Sequence, residues 1–240
     1  MTHDEAVNKV IFALDVNGVA EIDRYAGMLA GKVGMFKVGK ELFTSCGPEA
    51  VKAVQRHGGQ VFLDLKYHDI PNTVAKAMLE AARLGVQLTN LHALGGAEMM
   101  ATAATAVRKE FGDDRPRLLA VTILTSSTTE TLRGVGIEHP IQDMVVRLAK
   151  LAQDAGMDGV VASPLEIGLI RAACGPDFLI VTPGVRPSFA AADDQKRIMT
   201  PVEAVTAGAD YLVIGRPIAK AADPAAAADL IRDEILAGCL

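Results

Sequence analysis

The sequence contains no tryptophan, and its three cysteines, Cys46, Cys174 and Cys239, are scattered without a C-x-x-C pair. An odd number of isolated cysteines does not make a disulfide framework, and structural zinc sites use closely spaced Cys or His pairs. His68 and His92 belong to no such cluster, and a lone histidine near a strand end is more often packed than a ligand. We therefore expect a reduced cytoplasmic protein without a metal.

Long apolar runs and clusters of one charge are also missing. No run approaches the ~20 residues that a membrane-spanning helix needs. The polar segment from Met1 to Asn8 has no basic region followed by an apolar stretch, so it does not resemble a secretory signal. The net charge is -5 and no basic stripe is present, which argues against nucleic-acid binding. An anionic ligand would need a local cationic pocket.

Short apolar runs that alternate with amphipathic stretches make up most of the chain. Each run is a few residues long and rich in Val, Ile, Leu or Phe, as expected of parallel strands that are covered on both faces. The sequence predicts eight strands: Val10 to Leu14, Met35 to Val38, Val61 to Leu65, Gln87 to Leu91, Leu118 to Ile123, Gly159 to Ala162, Phe178 to Val181 and Tyr211 to Ile214.

The stretches between these strands have helical spacing, with apolar residues at i, i+3, i+4 and i+7 from Ala75 and again from Val145. Strands that alternate with helices predict parallel pairing through right-handed crossovers. The 240 residues also suit one barrel of this kind. We predict one α/β domain over residues 1–240, a single-domain (β/α)8 TIM barrel. An open doubly wound sheet also fits the pattern, but no G-x-G-x-x-G follows the first strand.

Charged residues interrupt the apolar pattern at three successive strand ends. Asp15 follows the first strand, Lys37 lies in the second, and Asp64 and Lys66 end the third with Asp69 just beyond. An unpaired buried ion is costly, and residues two apart in a strand share one face. Barrel enzymes place their chemistry at the carboxyl ends of the strands. We therefore favour an active site over the alternative, a structural salt-bridge network at the barrel mouth.

A second polar group follows the last two predicted strands. Arg186 and Gln195 lie in the segment after the seventh strand, and Gly215 and Arg216 end the eighth. These loops are a frequent phosphate site in barrels, where glycine admits a phosphate oxygen to the backbone and arginine matches its geometry. Alternatively, Gly215 is a helix-entry turn and Arg216 is solvated. The neighbouring Arg186 and Gln195 favour phosphate binding.

The segment from Asp64 to Thr73, DLKYHDIPNT, resembles the D-x-K-x-x-D-I-P-N-T signature of orotidine 5'-phosphate decarboxylases. D-x-K-x-x-D alone is shared with related sugar-phosphate enzymes, but the agreement continues in family order over nearly the whole chain and is similar to the bacterial branch. The further matching blocks are 13–15, 36–39, 124–126, 182–187, 194–201 and 214–217.

The resemblance implies a (β/α)8 barrel that converts orotidine 5'-phosphate to uridine 5'-phosphate and carbon dioxide in pyrimidine biosynthesis, without cofactor or metal. The implied catalytic residues are Lys66, Asp64, Asp69 and Lys37. Lys66 would stabilise and protonate a carbanion at C6 of the substrate, and the two aspartates would keep Lys66 charged and in position.

The resemblance also implies how the substrate is held, and it implies a homodimer. Asp69 and Thr73 would reach into the site of the neighbouring subunit, Asp15 and Lys37 would bind ribose hydroxyls, and Thr125 would recognise the pyrimidine. Arg186, Gln195, Gly215 and Arg216 would hold the phosphate, and Pro183 is implied as a further substrate-binding residue.

Two alternatives stay open. Barrels such as 3-keto-gulonate-6-phosphate decarboxylases and hexulose-phosphate synthases share D-x-K-x-x-D but use magnesium, with a Glu where this chain has Lys37. A cation at that position repels a divalent metal. The second alternative is a catalytically silent barrel that binds a phosphoribosyl ligand. Simple binding does not require Lys66 between two carboxylates.

Overall fold

The structure, a computed structural model, describes residues 1–190 and 199–238. Within these residues eight parallel strands, β1 to β8 in chain order, close into a barrel. Each strand pairs with the next along the chain, and β8 pairs with β1 through Phe12 and Ile214. The closure confirms the predicted TIM barrel and excludes the open sheet. One domain over all of residues 1–240 stays a prediction, because 191–198 and 239–240, with Gln195 and Cys239, lie outside the described residues.

All eight predicted strands are present among the described residues, and their ends differ from the predicted ends by at most two residues. The strands are β1 Val10–Leu14, β2 Met35–Gly39, β3 Val61–Tyr67, β4 Leu88–His92, β5 Arg117–Val121, β6 Gly159–Val161, β7 Leu179–Pro183 and β8 Tyr211–Ile214.

Helices cover the outside of the barrel. The described helices are α1 His3–Asn8, α2 Val19–Leu29, α3 Lys40–Cys46, α4 Glu49–Arg56, α5 Pro71–Arg83, α6 Gly96–Phe111, α7 Thr129–Gly134, α8 Ile141–Asp154, α9 Ile167–Cys174, α10 Pro201–Thr206, α11 Arg216–Ala219 and α12 Pro224–Ala237. Among these residues, none of the helices combines the length and apolar character that a bilayer-spanning segment requires.

The strands separate two apolar layers, which explains why they are apolar on both faces. Alternate residues such as Ile11 and Phe62 fill the interior of the barrel. Their neighbours, such as Phe12 and Leu63, pack outward against the helices. Both layers are closed to water, so the polar residues of the strand ends lie at the rim, above an apolar floor.

Gly159 of β6 lies where a strand approaches its neighbour too closely for a side chain. It pairs with Leu179 of β7, and a Cβ at Gly159 would lie 2.3 Å from the Leu179 carbonyl oxygen. A backbone atom of a closed barrel cannot move aside as the end of a side chain can. We expect Gly159→Ala to lower the free energy of unfolding by about 1–3 kcal/mol, the usual cost of overpacking.

The measurement is the urea midpoint at fixed protein concentration, with an unchanged slope. Gly168→Ala is the matched control, because Gly168 lies in α9 with nothing within 4 Å of an added Cβ. Alanine favours a helix over glycine, so this variant should be neutral or slightly stabilised. Equal midpoints for the two variants would show that the barrel tolerates a side chain at Gly159.

Candidate active site

The third strand departs from regular pairing where its charged residues lie. Leu63 pairs with Thr89 and Tyr67 pairs with Leu91, so three residues of β3 face the single residue Asn90 of β4. The expectation of a regular pleat through Asp64 and Lys66 is thus corrected to a bulge. Bulges re-aim side chains next to active sites.

Lys66 has a φ of 52°, in the left-handed region, and is the only non-glycine residue with positive φ among those described. This conformation costs about 1–3 kcal/mol and persists only where the surrounding structure holds it. Such strain is concentrated at functional sites. The backbone of Lys66 is therefore the first sign, independent of its charge, that this strand end is specialised.

The Asp64 carboxylate joins the two lysines that the sequence analysis selected. Its Oδ1 accepts a hydrogen bond from Lys66 Nζ at 2.5 Å, and its Oδ2 lies 3.7 Å from Lys37 Nζ. Lys37 Nζ also lies 3.4 Å from Asp15 Oδ1. The side chains of Asp64 and Lys37 are 10% and 13% exposed, whereas that of Asp15 is 69% exposed. The structure therefore brings these four residues together around a mostly buried centre.

The ionisation of Asp64 follows from its neighbours. Burial alone would raise the pKa of its carboxyl group, but the charges of Lys37 and Lys66 and the hydrogen bonds from Lys66 and Asn90 outweigh burial and lower the pKa below its usual value. Asp64 is thus an anion at neutral pH and offers a fixed negative charge to both ammonium groups.

Asn90 is the residue of this site that the sequence analysis missed. Its side-chain Nδ2 donates to Asp64 Oδ1 at 2.7 Å, and its Oδ1 accepts from the Lys66 backbone N–H at 2.8 Å. The only signal in the sequence was an asparagine inside an apolar run predicted to be a buried strand. The rule that a buried polar residue needs a partner, used for β3, applies equally to β4.

Two cavities meet at this charged centre. The first, about 310 Å³, is lined by polar groups that include Asp15, Lys37 and Lys66. The second, about 180 Å³, shares Lys37, Asp64 and Lys66 but is otherwise lined mostly by apolar groups. Thr125 and Pro183 line this second cavity together with Phe62, Val121, Ile123, Leu124, Val161, Ala162 and Val213. The arrangement suits a ligand with one flat, weakly polar part and one hydroxylated part.

The residues expected at a phosphate lie at the rim beside these cavities. Arg186 follows β7 and Arg216 follows β8, and these two strands are paired through Pro183 and Val213. Arg186 is buried, and its backbone N–H donates to the carbonyl oxygen of Met199. Gly215 lies against β1, since an added Cβ would be 3.2 Å from Ala13 Cβ. The rim thus combines two arginines with a glycine that packs closely against β1.

Asp69 and Thr73 line neither of the two cavities of their own chain. Both are exposed, and the Asp69 carboxylate accepts a hydrogen bond from the backbone N–H of Ile70. Within the described residues no ion pair joins Asp69 to Lys66. The next residue, Ile70, is an exposed apolar side chain, with 65% of its surface open to solvent. Of the implied catalytic residues, all of which are described, Asp69 is the one that does not line a cavity at the charged centre of its own chain.

The residues described include no group of three or more His, Cys, Asp or Glu side chains placed to hold a metal ion. The divalent-metal alternative needs a carboxylate where Lys37 lies, and the Lys37 ammonium group instead points to Asp64. The chemistry of this donor set therefore does not fit a resident divalent cation.

A closed (β/α)8 barrel with a buried Lys–Asp–Lys centre at the carboxyl ends of its strands defines a barrel enzyme. The chain belongs to the orotidine 5'-phosphate decarboxylase / HUMPS family, whose model matches residues 8–231.

Relatives and solved structures agree with this assignment. The chain is 81% identical to an orotidine 5'-phosphate decarboxylase of Pelobacter propionicus, over 100% of both chains. It is 77% identical to one of Trichlorobacter lovleyi, over 99% of both. The crystal structure of orotidine 5'-phosphate decarboxylase from Lactobacillus acidophilus is 38% identical with a TM-score of 0.83, over 94% of this chain and 98% of that one.

His92, at the end of β4, provides a pH-dependent contribution to stability. Its ring lies 5.6 Å from that of His68, and burial, together with the charges of His68, Lys40 and Lys66, lowers the pKa of His92 to about 4. The folded state then binds fewer protons than the unfolded state between pH 6.5 and about 4, so stability falls as the pH drops through this window.

We expect His92→Asn to lose less stability over this pH range than the unmutated chain, by an amount on the order of 2 kcal/mol after discounting for partial exposure. Urea unfolding at several pH values measures the difference. His139→Asn, on an exposed loop, is the control and should keep the original pH dependence. Parallel stability curves for all three proteins would show that His92 does not resist protonation.

Proposed function

We propose that this chain decarboxylates orotidine 5'-phosphate to uridine 5'-phosphate and carbon dioxide in pyrimidine biosynthesis, without a cofactor. The observation that carries the proposal is the Lys66 ammonium group, 2.5 Å from Asp64 and shared by the polar and the apolar cavity. The relatives in Pelobacter propionicus and Trichlorobacter lovleyi, both named orotidine 5'-phosphate decarboxylases, support the same reaction. A cytoplasmic location stays a prediction.

The reaction needs a fixed cation rather than an electron sink. When the bond from C6 to the carboxylate breaks, the electron pair stays on C6 in the plane of the ring, where the π system cannot accept it. Charge that develops in the transition state is stabilised best by a preorganised dipole or ion in a site of low polarity. Lys66 supplies the positive charge beside C6 and then transfers one Nζ proton to it. The neutral amine regains a proton before the next turnover.

The neighbouring carboxylate offsets the free-energy cost of burying two positive charges. Two buried ammonium groups would repel each other, but Asp64 lies between Lys37 and Lys66 and offsets both. The apolar walls formed by residues such as Phe62 and Val121 strengthen these interactions by excluding water. The pyrimidine would occupy this apolar cavity beside Thr125.

The rest of the substrate fits the polar side of the site. Asp15 and Lys37 would bind the ribose hydroxyls, and Arg186, Gly215 and Arg216 would hold the phosphate at the rim. Gln195 belongs to the same proposed grip but lies outside the described residues. Binding energy from the remote phosphate would help to exclude water from the reacting atoms.

The two alternatives are less well supported. A magnesium-dependent relative would have a carboxylate in place of Lys37, and here an ammonium group lies 3.7 Å from Asp64. A binding protein without activity would gain nothing from the strained backbone at Lys66, which costs stability and requires compensation.

Two copies of the chain would complete the site. Asp69 and Thr73 are exposed and line neither cavity of their own chain, and the apolar Ile70 beside Asp69 is exposed as well. A two-fold dimer would cover Ile70 and bring the Asp69 carboxylate and Thr73 hydroxyl to the neighbour's site. A second carboxylate near Lys66 would balance the charges of Lys37 and Lys66.

Replacement of Lys66 by alanine tests the proposed chemistry. We expect the unmutated protein to consume orotidine 5'-phosphate in the presence of EDTA. The loss of substrate absorbance over time measures this activity. Lys66→Ala should lower kcat by at least about 10³-fold, because it removes both the cation and the proton donor. Lys109→Ala, on the exposed side of α6, is the control. Uridine 5'-phosphate should still bind Lys66→Ala by calorimetry.

Near-normal turnover by Lys66→Ala would remove this lysine from the chemistry. Activity of the unmutated protein that disappears in EDTA and returns with magnesium would favour the metal-dependent relatives. Binding without any turnover would favour the silent phosphoribosyl-binding barrel.

A heterodimer tests the shared site. Lys66→Ala and Asp69→Ala chains, carrying different tags, are co-expressed and the mixed dimer is purified through both tags. Each homodimer should be inactive, whereas the mixed dimer retains one intact site of two and about half of the activity. The matched control pairs Lys66→Ala with Lys37→Ala. Both of these lysines act within one chain, so this mixed dimer should be inactive.

Activity in neither mixed dimer would place Asp69 in the site of its own chain. Failure to recover any doubly tagged dimer would contradict the proposed assembly.

A further inference from the structure

Asn90 lies directly behind the charged centre without reaching the ligand space. Its side chain is fully buried, with 0% exposure, and it lines neither of the two cavities. It therefore cannot contact a substrate in these cavities. Any effect of Asn90 on the reaction must pass through the groups that it contacts.

The Asn90 side chain forms hydrogen bonds to Asp64 and Lys66, the two residues on which the proposed chemistry depends most. Nδ2 donates to Asp64 Oδ1, the same oxygen that accepts from Lys66 Nζ. Oδ1 accepts from the backbone N–H of Lys66, inside the bulge. The opposite orientation of the amide would place oxygen against oxygen and N–H against N–H, so these contacts fix it.

One hydrogen bond satisfies the Lys66 backbone N–H, and the other orients the Asp64 carboxylate. The bulge leaves the Lys66 N–H without a strand partner, and a buried N–H without an acceptor is costly. The left-handed backbone at Lys66 also has to be held by its surroundings. The bond to Asp64 fixes the rotation of the carboxylate, so that Oδ1 faces Lys66 while Oδ2 faces Lys37.

We propose that Asn90 is a positioning residue for the decarboxylation, holding the Asp64 carboxylate and the Lys66 backbone in the one geometry that brings the Lys66 ammonium group to the reacting carbon. The inference rests on the proposed function. It deepens that function by assigning the support of the charged centre to β4, a strand that contributes none of the implied catalytic residues.

The neighbouring Thr89 provides a matched control. It is also 0% exposed on β4, but it is the adjacent residue of the strand and so faces the opposite side. Its hydroxyl has no hydrogen-bond partner within the described part of the chain. Thr89→Val keeps the shape of this side chain and should leave the charged centre undisturbed.

The first test is the pair Asn90→Leu and Thr89→Val. We expect Asn90→Leu to lower kcat roughly 10- to 100-fold, the effect of one charge-assisted hydrogen bond, while Thr89→Val keeps the kcat of the unmutated protein. The dissociation constant of uridine 5'-phosphate should change by no more than about twofold in either variant, because Asn90 is outside the ligand space. A merely structural residue would lower kcat and binding together with stability.

Asn90→Asp provides a second test, which remains informative if the Asn90→Leu variant folds poorly. The introduced carboxyl group can accept from the Lys66 N–H and donate to Asp64 only while it is protonated. The ratio of the kcat of Asn90→Asp to the kcat of the unmutated protein should therefore rise as the pH is lowered and fall as the pH is raised. A constant ratio across pH would overturn the proposal, as would an Asn90→Leu variant with unchanged kcat.

A third readout does not depend on activity. Loss of the donor to ionised Asp64 should raise the pKa of its carboxyl group, measured by NMR titration of labelled aspartate in Asn90→Leu or Asn90→Asp and in Thr89→Val. Should the unmutated protein fail to turn over orotidine 5'-phosphate, the proposed function fails, and this titration still decides whether Asn90 holds Asp64. An unchanged Asp64 titration would overturn the positioning role whatever the reaction.

Discussion

The buried carboxylate of Asp64 is the group on which the rest of the site depends. It accepts from Lys66 and Asn90 through one oxygen and faces Lys37 with the other. Burial alone would favour its neutral form, and the two lysines reverse that preference. If Asp64 were neutral, two ammonium groups would lie close together in a mostly buried site with nothing between them. The ionised carboxylate of Asp64 therefore allows the ammonium groups of Lys37 and Lys66 to lie close to each other.

The barrel provides the rigidity that this ion cluster needs. Lys37 comes from β2, Asp64 and Lys66 from β3, and Asn90 from β4, so three neighbouring strands fix the centre. Strands paired on both sides cannot shift without breaking a closed ladder. The irregularity is confined to the bulge in β3, where the extra residues turn the Lys66 side chain to the mouth. The regular strands thus form the rigid fold, and the bulge in β3 positions the lysine proposed to act on the substrate.

The sequence was sufficient to predict eight parallel strands and the residues of the charged rim, whereas an open sheet also fitted the pattern and only the closed pairing of the strands excluded it. Eight short apolar runs marked the strands because both faces of each are buried, and Lys37, Asp64 and Lys66 stood out because charges do not belong in such runs. The bulge and the role of Asn90 were not predictable in the same way. Register between β3 and β4 is decided by pairing across the closed sheet, and the partners of Asn90 exist only once that register is set.

The charges of the site also explain why a second copy of the chain would matter. Within one chain the buried centre contains Lys37, Lys66 and a single buried carboxylate, since Asp15 is largely exposed and screened by water. The site is therefore biased toward positive charge, which suits an anionic substrate, and within the described residues Asp64 is the only carboxylate that pairs with the Lys66 ammonium group. Asp69 from a neighbouring subunit would add the missing anion on the other side. Charge balance and fixed position would then be supplied by assembly, and activity would be coupled to dimer formation by the same electrostatics that are proposed to stabilise the carbanion.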